Sequence, residues 1–316
     1  MTTPLQFYRI FRDLLKEQGV RALLTSGMAC VEYGIQETTK DTDWIIHPDE
    51  FEKLVALLCH QEKGLTGANW RISYRGIFGA PLDRQYHLGG WTSHLAIWSH
   101  ALSPEEHLDF FGKPPRVDSG LWLRETGSIA SRSTVAAMKK TDREKDWPFV
   151  NSLAAQDWFS GSHEGLLHLR DIPVLRKAWP SLTGDQRQDL VKKRPLLGRI
   201  EESNDIVLER LLIIEKNLWE RVNRLRYQIY QTEWKSFYRR WQKDSVGRWP
   251  TSESFDIQHH RVLNAAREYS LPVAPLDAPG ERKRVYSMGC DETRMLLSVT
   301  DSEMGFVQPA QELILP

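Results

Sequence analysis

Leu23-Leu24-Thr25-Ser26-Gly27-Met28-Ala29-Cys30-Val31-Glu32-Tyr33-Gly34-Ile35-Gln36-Glu37-Thr38-Thr39-Lys40-Asp41-Thr42-Asp43-Trp44-Ile45-Ile46 decides how the rest of the chain is read. An apolar run predicts a strand, Ser26-Gly27 a turn that opens a short helix, and Gly34 the end of that helix. A polar loop then enters a second strand through two carboxylates one residue apart. Side chains alternate along a strand, so Asp41 and Asp43 project from one face. Two carboxylates so placed repel each other unless a cation sits between them, and magnesium, a hard ion that favours oxygen ligands, suits the pair. Ser26 and Gly27 stand where the N–H groups of a helix N-terminus favour phosphate oxygens.

The surroundings continue an α/β pattern. Leu5, Phe7, Tyr8, Ile10, Phe11, Leu14 and Leu15 recur at helical spacing and Gly19 stops that helix. After His47-Pro48, Asp49 opens a helix running to about Cys59. Residues 70–75 and 92–98 alternate as strands. Glu106-His107-Leu108-Asp109-Phe110-Phe111 places an acid inside an apolar strand, and a buried carboxylate there needs a cation or a hydrogen-bond partner. A helix is expected over residues 133–155. It carries Lys139, Lys140, Arg143 and Lys145, a cationic patch able to neutralise a triphosphate, with Lys140 and Arg143 one turn apart on one face.

From about residue 151 helical patterns dominate, the longest over Asn204 to Lys243 with many aromatic and basic residues. Core packing accounts for most of those aromatics, and stacking on single-stranded RNA or tRNA ends is the functional alternative. Short alternating runs between Arg284 and Val307 suggest a terminal β-hairpin. Two domains follow, 1–150 with a mixed sheet flanked by helices and 151–316 mainly helical.

Bulk properties narrow the classes. In 316 residues, 42 Lys+Arg balance 42 Asp+Glu, so overall charge points to neither nucleic acid nor membrane. The 41% hydrophobic content supports a real core. Three scattered cysteines (Cys30, Cys59, Cys290) form no disulfide framework or zinc pattern. No apolar run reaches a membrane span and Met1-Thr2-Thr3-Pro4 leads directly into an amphipathic segment, so a cytoplasmic location is expected. His94 is read as a structural histidine, while His163-Glu164 and His259-His260 lack partners at metal-ligand spacing.

A small-residue turn before a helix, D-x-D on the next strand and a third acid on a later strand resemble the nucleotidyltransferase superfamily with the DNA polymerase β-like fold. The wording from Ser26 through Asp43 is most similar to bacterial minimal and abortive-infection or toxin-type members, and the resemblance covers roughly residues 5–150. Here the turn reads Ser-Gly where the family has Gly-Ser or Gly-Gly, and Trp44 stands where a smaller apolar residue is usual.

The resemblance implies an enzyme that moves NMP from an NTP to an acceptor hydroxyl and releases pyrophosphate, with two Mg²⁺ ions as cofactors. Asp41, Asp43 and Asp109 would be the catalytic and metal-binding carboxylates, with Asp83 and Asp118 as rivals for the third position. Ser26, Gly27, Lys40, Lys139, Lys140 and Arg143 would bind the nucleotide, ATP among the candidates, and Asp146 would orient one of the cations. The acceptor stays open: RNA (tRNA) or protein, as in a toxin or defence factor with a cognate partner protein, or a small antibiotic-like hydroxyl compound. A non-catalytic nucleotide- or partner-binding module is the remaining reading.

Overall fold

A computed structural model describes residues 4–62, 70–99, 102–244 and 249–315. The chain is mixed α/β, with one five-stranded mixed sheet flanked by helices and a large helical C-terminal part. It divides into two compact units, each assembled from separate segments. The first comprises Met1–Pro114, Glu125–Ala130 and Gln228–Asp277, and the second Pro115–Arg124, Ser131–Tyr227 and Ala278–Pro316. This differs from a single boundary near residue 150, which falls within the helix Trp147–Phe159 of the second unit.

In the first unit the strands are β1 (Ala22–Thr25), β2 (Asp41–Ile46), β3 (Arg71–Tyr74), β4 (Thr92–Ser99) and β5 (Leu102–Phe111), in the order β1-β2-β5-β4-β3. β2 and β5 run parallel and the other neighbours antiparallel. Strand alternation gives the sheet two unlike faces. One carries Trp44 and Phe110, which receive Phe11 of the helix Pro4–Glu17 at ring separations of 5.6 and 6.1 Å. Trp44 is therefore a core residue, 1% exposed. The other face carries Asp41, Asp43 and Asp109.

Both sheet edges are covered, which removes the pairing hazard of free edge strands. At β1, the Leu24 N–H donates to Ser128 O and the Ala130 N–H donates to Leu24 O, both at 2.9 Å. At β3, the Gln258 side chain imitates a strand: Tyr74 N–H donates to its Oε1 at 3.1 Å, and its Nε2 donates to Ile72 O at 3.0 Å. Gln258 sits on the helix Phe255–Glu268, so sequence-distant helical residues complete the sheet.

The second unit is helical. Leu166, Leu169, Leu175, Trp179, Leu190 and Leu197 form its buried centre. The helix Asp205–Asp244 spans 40 residues, of which those up to Tyr227 belong to this unit. Two expectations are corrected here. The run from Arg284 to Val307 forms no hairpin: it lies in the helices Glu281–Leu297 and Asp301–Val307. Its buried positions, Val285, Gly289, Cys290 and Thr293, recur at helical spacing, and Thr300 with Glu303 closes a capping box at the second helix. Nor do residues 133–155 form one helix. The helix Arg132–Met138 ends with Lys139 at its C-cap, and the helix Trp147–Phe159 begins afresh with a proline in its first turn. Lys140 and Arg143 therefore do not share a helical face.

Candidate functional site

The site is built by strand register. Across four strands, Thr25 pairs with Asp43, Asp43 with Asp109, and Asp109 with His94, so these four side chains form one row on one sheet face. The neighbouring row holds Asp41 opposite His107. Along β2 burial rises from exposed Asp41 through partly buried Asp43 to Ile45, which is fully buried. The carboxylates thus lie where the apolar interior gives way to solvent, with their backbones fixed in the sheet.

Each outer carboxylate faces an imidazole. His94 Nδ1 lies 2.6 Å from Asp109 Oδ1, with both side chains largely buried at 15% and 17% exposure. His107 Nδ1 lies 3.1 Å from Asp41 Oδ1, and its Nε2 lies 3.2 Å from Glu105 Oε1. The sequence pattern marks His94 as a structural histidine that the Gly89-Gly90 turn could also place near the site, and it gives His107 no role. The usable signal was position: His107 and Asp109 are two residues apart on one strand, hence on one face. The rivals for the third carboxylate are otherwise employed. Asp83 caps the helix Arg84–Leu88 by accepting from the Gln85 and Tyr86 N–H groups, and Asp118 caps Ser119–Trp122 by accepting from Gly120.

The turn directly follows Thr25, the row partner of Asp43. Ser26 has φ 52°, a left-handed conformation at the first residue of the helix Ser26–Glu32. A Cβ on Gly27 would stand 2.5 Å from Thr39 Oγ1, so the absence of a side chain lets the loop before β2 close over the turn. Gln36 Nε2 fastens that loop by donating to Gly27 O at 2.9 Å. Lys40 is the last residue of the loop, next to Asp41.

Asp41, Asp43 and Asp109 offer only oxygen donors, which fits a hard divalent cation in chemistry. Among the described residues, however, no three His, Cys, Asp or Glu side chains converge as a metal-binding group. Two of the three carboxylates are turned toward His94 and His107 instead.

The basic run belongs to the second unit. Asp146, 2% exposed, gathers Lys139 Nζ at 3.5 Å, Arg143 Nε at 2.8 Å and Thr141 Oγ1 at 2.7 Å, so it orients two of the cations. Lys140 is turned inward: its Nζ lies 4.4 Å from the centre of the Trp219 ring and donates to Leu167 O at 3.3 Å. Burial pushes its pKa down to about 7. Arg143 and Lys145 are the members of the run that face water.

No family model, curated protein or solved structure matches the chain. Among the described residues no helix is long and apolar enough to cross a membrane.

Proposed function

We propose that the protein is a metal-dependent nucleotidyltransferase that moves NMP from an NTP to an acceptor hydroxyl and releases pyrophosphate. One observation carries the reading: Asp43 and Asp109 are register partners on adjacent parallel strands, with Asp41 on the same face and the Ser26-Gly27 turn beginning beside Asp43. Paired carboxylates beside a backbone turn supply oxygen ligands and phosphate-facing N–H groups in one place.

Asp41 and Asp43 would hold Mg²⁺, and Asp109 would join them next to the attacking oxygen. A metal held by these carboxylates would supply Lewis-acid polarisation of the phosphoryl oxygens and favour loss of the acceptor proton. Asp109 Oδ1, already hydrogen-bonded to His94, orients the acceptor hydroxyl, and His94 holds that carboxylate in place. Ser26 and Gly27 bind phosphate oxygens, and Lys40 adds charge beside Asp41. The acceptor is RNA, tRNA included, or protein.

Incubation with each labelled NTP, Mg²⁺ and total tRNA is expected to label RNA or the protein itself. Asp41→Ala and Asp43→Ala are each expected to lower the rate by about a thousandfold or more, with melting little changed. A wild-type protein that binds no NTP in the presence of Mg²⁺ overturns the reading.

A further inference from the structure

The second unit contains a cavity of about 350 Å³, and every residue lining it belongs to that unit. That volume lies at the small end of the range for ligand pockets, about 300–1,000 Å³. Leu121, Leu167, Trp219 and Leu313 give it apolar walls. Its charged lining is lopsided, with Arg116, Arg124, Lys140, Lys193 and Arg194 against only Asp118 and Glu215.

Most of these charges are already spent. Arg194 grips Glu215 through two hydrogen bonds of 2.7 and 2.6 Å, and its remaining nitrogen donates to Leu166 O and Leu169 O. Arg116 donates to Ala137 O at 3.1 Å, and also to Met138 O and Asn223 Oδ1. Asp118 accepts from Gly120 N at 2.6 Å, and Lys193 lies 2.9 Å from Asp189. Arg124 is exposed at the rim.

Lys140 is different. Its ammonium, on a side chain of a residue 6% exposed, has three N–H donors, one carbonyl and the face of Trp219. Beside it, His168 is 8% exposed; its Nε2 meets Ser133 Oγ at 3.0 Å, while Nδ1 has no hydrogen-bond partner in the protein. A buried ammonium so poorly satisfied is costly unless something anionic completes it.

We propose that this cavity binds a small organic anion, its carboxylate or phosphate-ester head on Lys140 and its apolar body along Trp219 and Leu313. A triphosphate is a poor match, because only one interior cation is unspent. The site stands independently of the proposed nucleotidyl transfer.

The test uses the full chain and two fluorescent probes of similar shape, 1-anilinonaphthalene-8-sulfonate and its uncharged counterpart N-phenyl-1-naphthylamine. The sulfonate is expected to bind at one site per chain, and Lys140→Met to weaken it at least about tenfold while leaving the uncharged probe within about twofold. Equal binding of the sulfonate by wild type and Lys140→Met overturns the proposal. A measurement on wild type guards against misfolding of the variant: limited acetylation mapped by mass spectrometry is expected to modify Lys140 less when the sulfonate is bound, and unchanged modification overturns the proposal. Displacement of the sulfonate by hexanoate or by phenyl phosphate supports the pocket and ranks the two head groups. Displacement by MgATP alone assigns Lys140 to the nucleotide and overturns it.

Discussion

The sheet face of the first unit and the interior of the second gather opposite charges, and they hold them in opposite ways. Asp41, Asp43 and Asp109 sit on a partly wet surface, and the two outer ones have histidine partners at 3.1 and 2.6 Å. Arg116, Lys140 and Arg194 are buried among helices. Burial lowers the pKa of Arg116 to about 9 and that of Lys140 to about 7. Burial alone would raise the Glu215 pKa, but the charge and hydrogen bonds of Arg194, with Lys140 and Arg170 nearby, hold it below the usual value. A carboxylate row at the edge of the interior, with histidine partners for two of its members, costs the fold less than a buried cluster does. A buried cation cluster is coupled to the stability of its unit, and any ligand it takes should stabilise that unit.

The largest stability effect is therefore expected in the second unit. Glu215→Ala leaves Arg194 without its counter-ion beside Arg170 and Lys140, and breaking a buried pair this way costs about 3–5 kcal/mol. Urea unfolding measures it, and replacing both partners by apolar residues, Arg194→Met with Glu215→Leu, is expected to recover much of the loss. A cost below about 1 kcal/mol would mean that the pair is effectively solvated and that the contrast between the units is wrong.

Next comes a pH effect with a definite sign. The folded-state pKa of Lys140 is lowered to about 7 from its ordinary 10.5, so between those values the unfolded chain binds more protons than the folded one. Its contribution to stability therefore rises with pH across that window, by up to about 1.4 kcal/mol per pH unit. The charged and titratable groups facing it are Glu215, Arg194, Arg170, Arg116 and His168. Only Glu215 favours the charged lysine. Denaturation midpoints of wild type and Lys140→Met between pH 6.5 and 10 should converge as pH rises, with the variant the more stable near neutrality. Parallel curves refute the burial of Lys140 and the lowered pKa that goes with it.

The same contrast explains what was legible in the sequence. Period-two spacing marks Asp41 and Asp43 on β2 and an apolar run marks Asp109 on β5, so all three were legible locally, and the register then made Asp43 and Asp109 neighbours. The α/β class followed from the same spacing. The segments from 284 to 307 misled because short alternating runs compete with a helical stripe whose buried members, apart from Val285, are the small or polar Gly289, Cys290 and Thr293. Lys139 and Lys140 read as part of a phosphate-neutralising patch because composition does not reveal that Asp146 and Trp219 stand beside them. The cavity was invisible for a related reason: its walls come from residues 116–124, 133–140, 167–168, 193–194, 215–219 and 309–313, brought together only by helix packing. The Gln258 cover on β3 joins residues 184 apart and left no local mark either.

A smaller effect tests how tightly the turn is built into the acidic face. Gly27→Ala places a methyl 2.5 Å from Thr39 Oγ1 and 3.3 Å from Gln36 Nε2, so the loop leading to Asp41 must move. Overpacking of this kind costs about 1–3 kcal/mol. Thermal unfolding of Gly27→Ala and of the double variant Gly27→Ala with Thr39→Ala checks it. The second change removes the obstructing hydroxyl and should return most of the stability. If the single variant melts with wild type, the loop yields freely and the turn is not fastened to the D-x-D strand.

The smallest effect expected is also the one that separates the two histidine-carboxylate pairs. His94 lies against a largely buried Asp109, whereas His107 lies against an Asp41 whose side chain is 54% exposed. If Asp109 orients the acceptor, a partner that fixes its rotamer matters, and losing such a supporting hydrogen bond lowers activity by about 10- to 100-fold. His94→Ala is accordingly expected to lower kcat by about tenfold with KM for NTP little changed, because on this proposal the group would act on the acceptor side of the reaction. His94→Gln, which keeps a hydrogen-bond donor, should restore part of it. His107→Ala should change kcat by less than about twofold, since water replaces an exposed partner at small cost. Equal losses in both variants would show that Asp109 has no special place in the row, and the acceptor would then have to be oriented from Asp41 or Asp43.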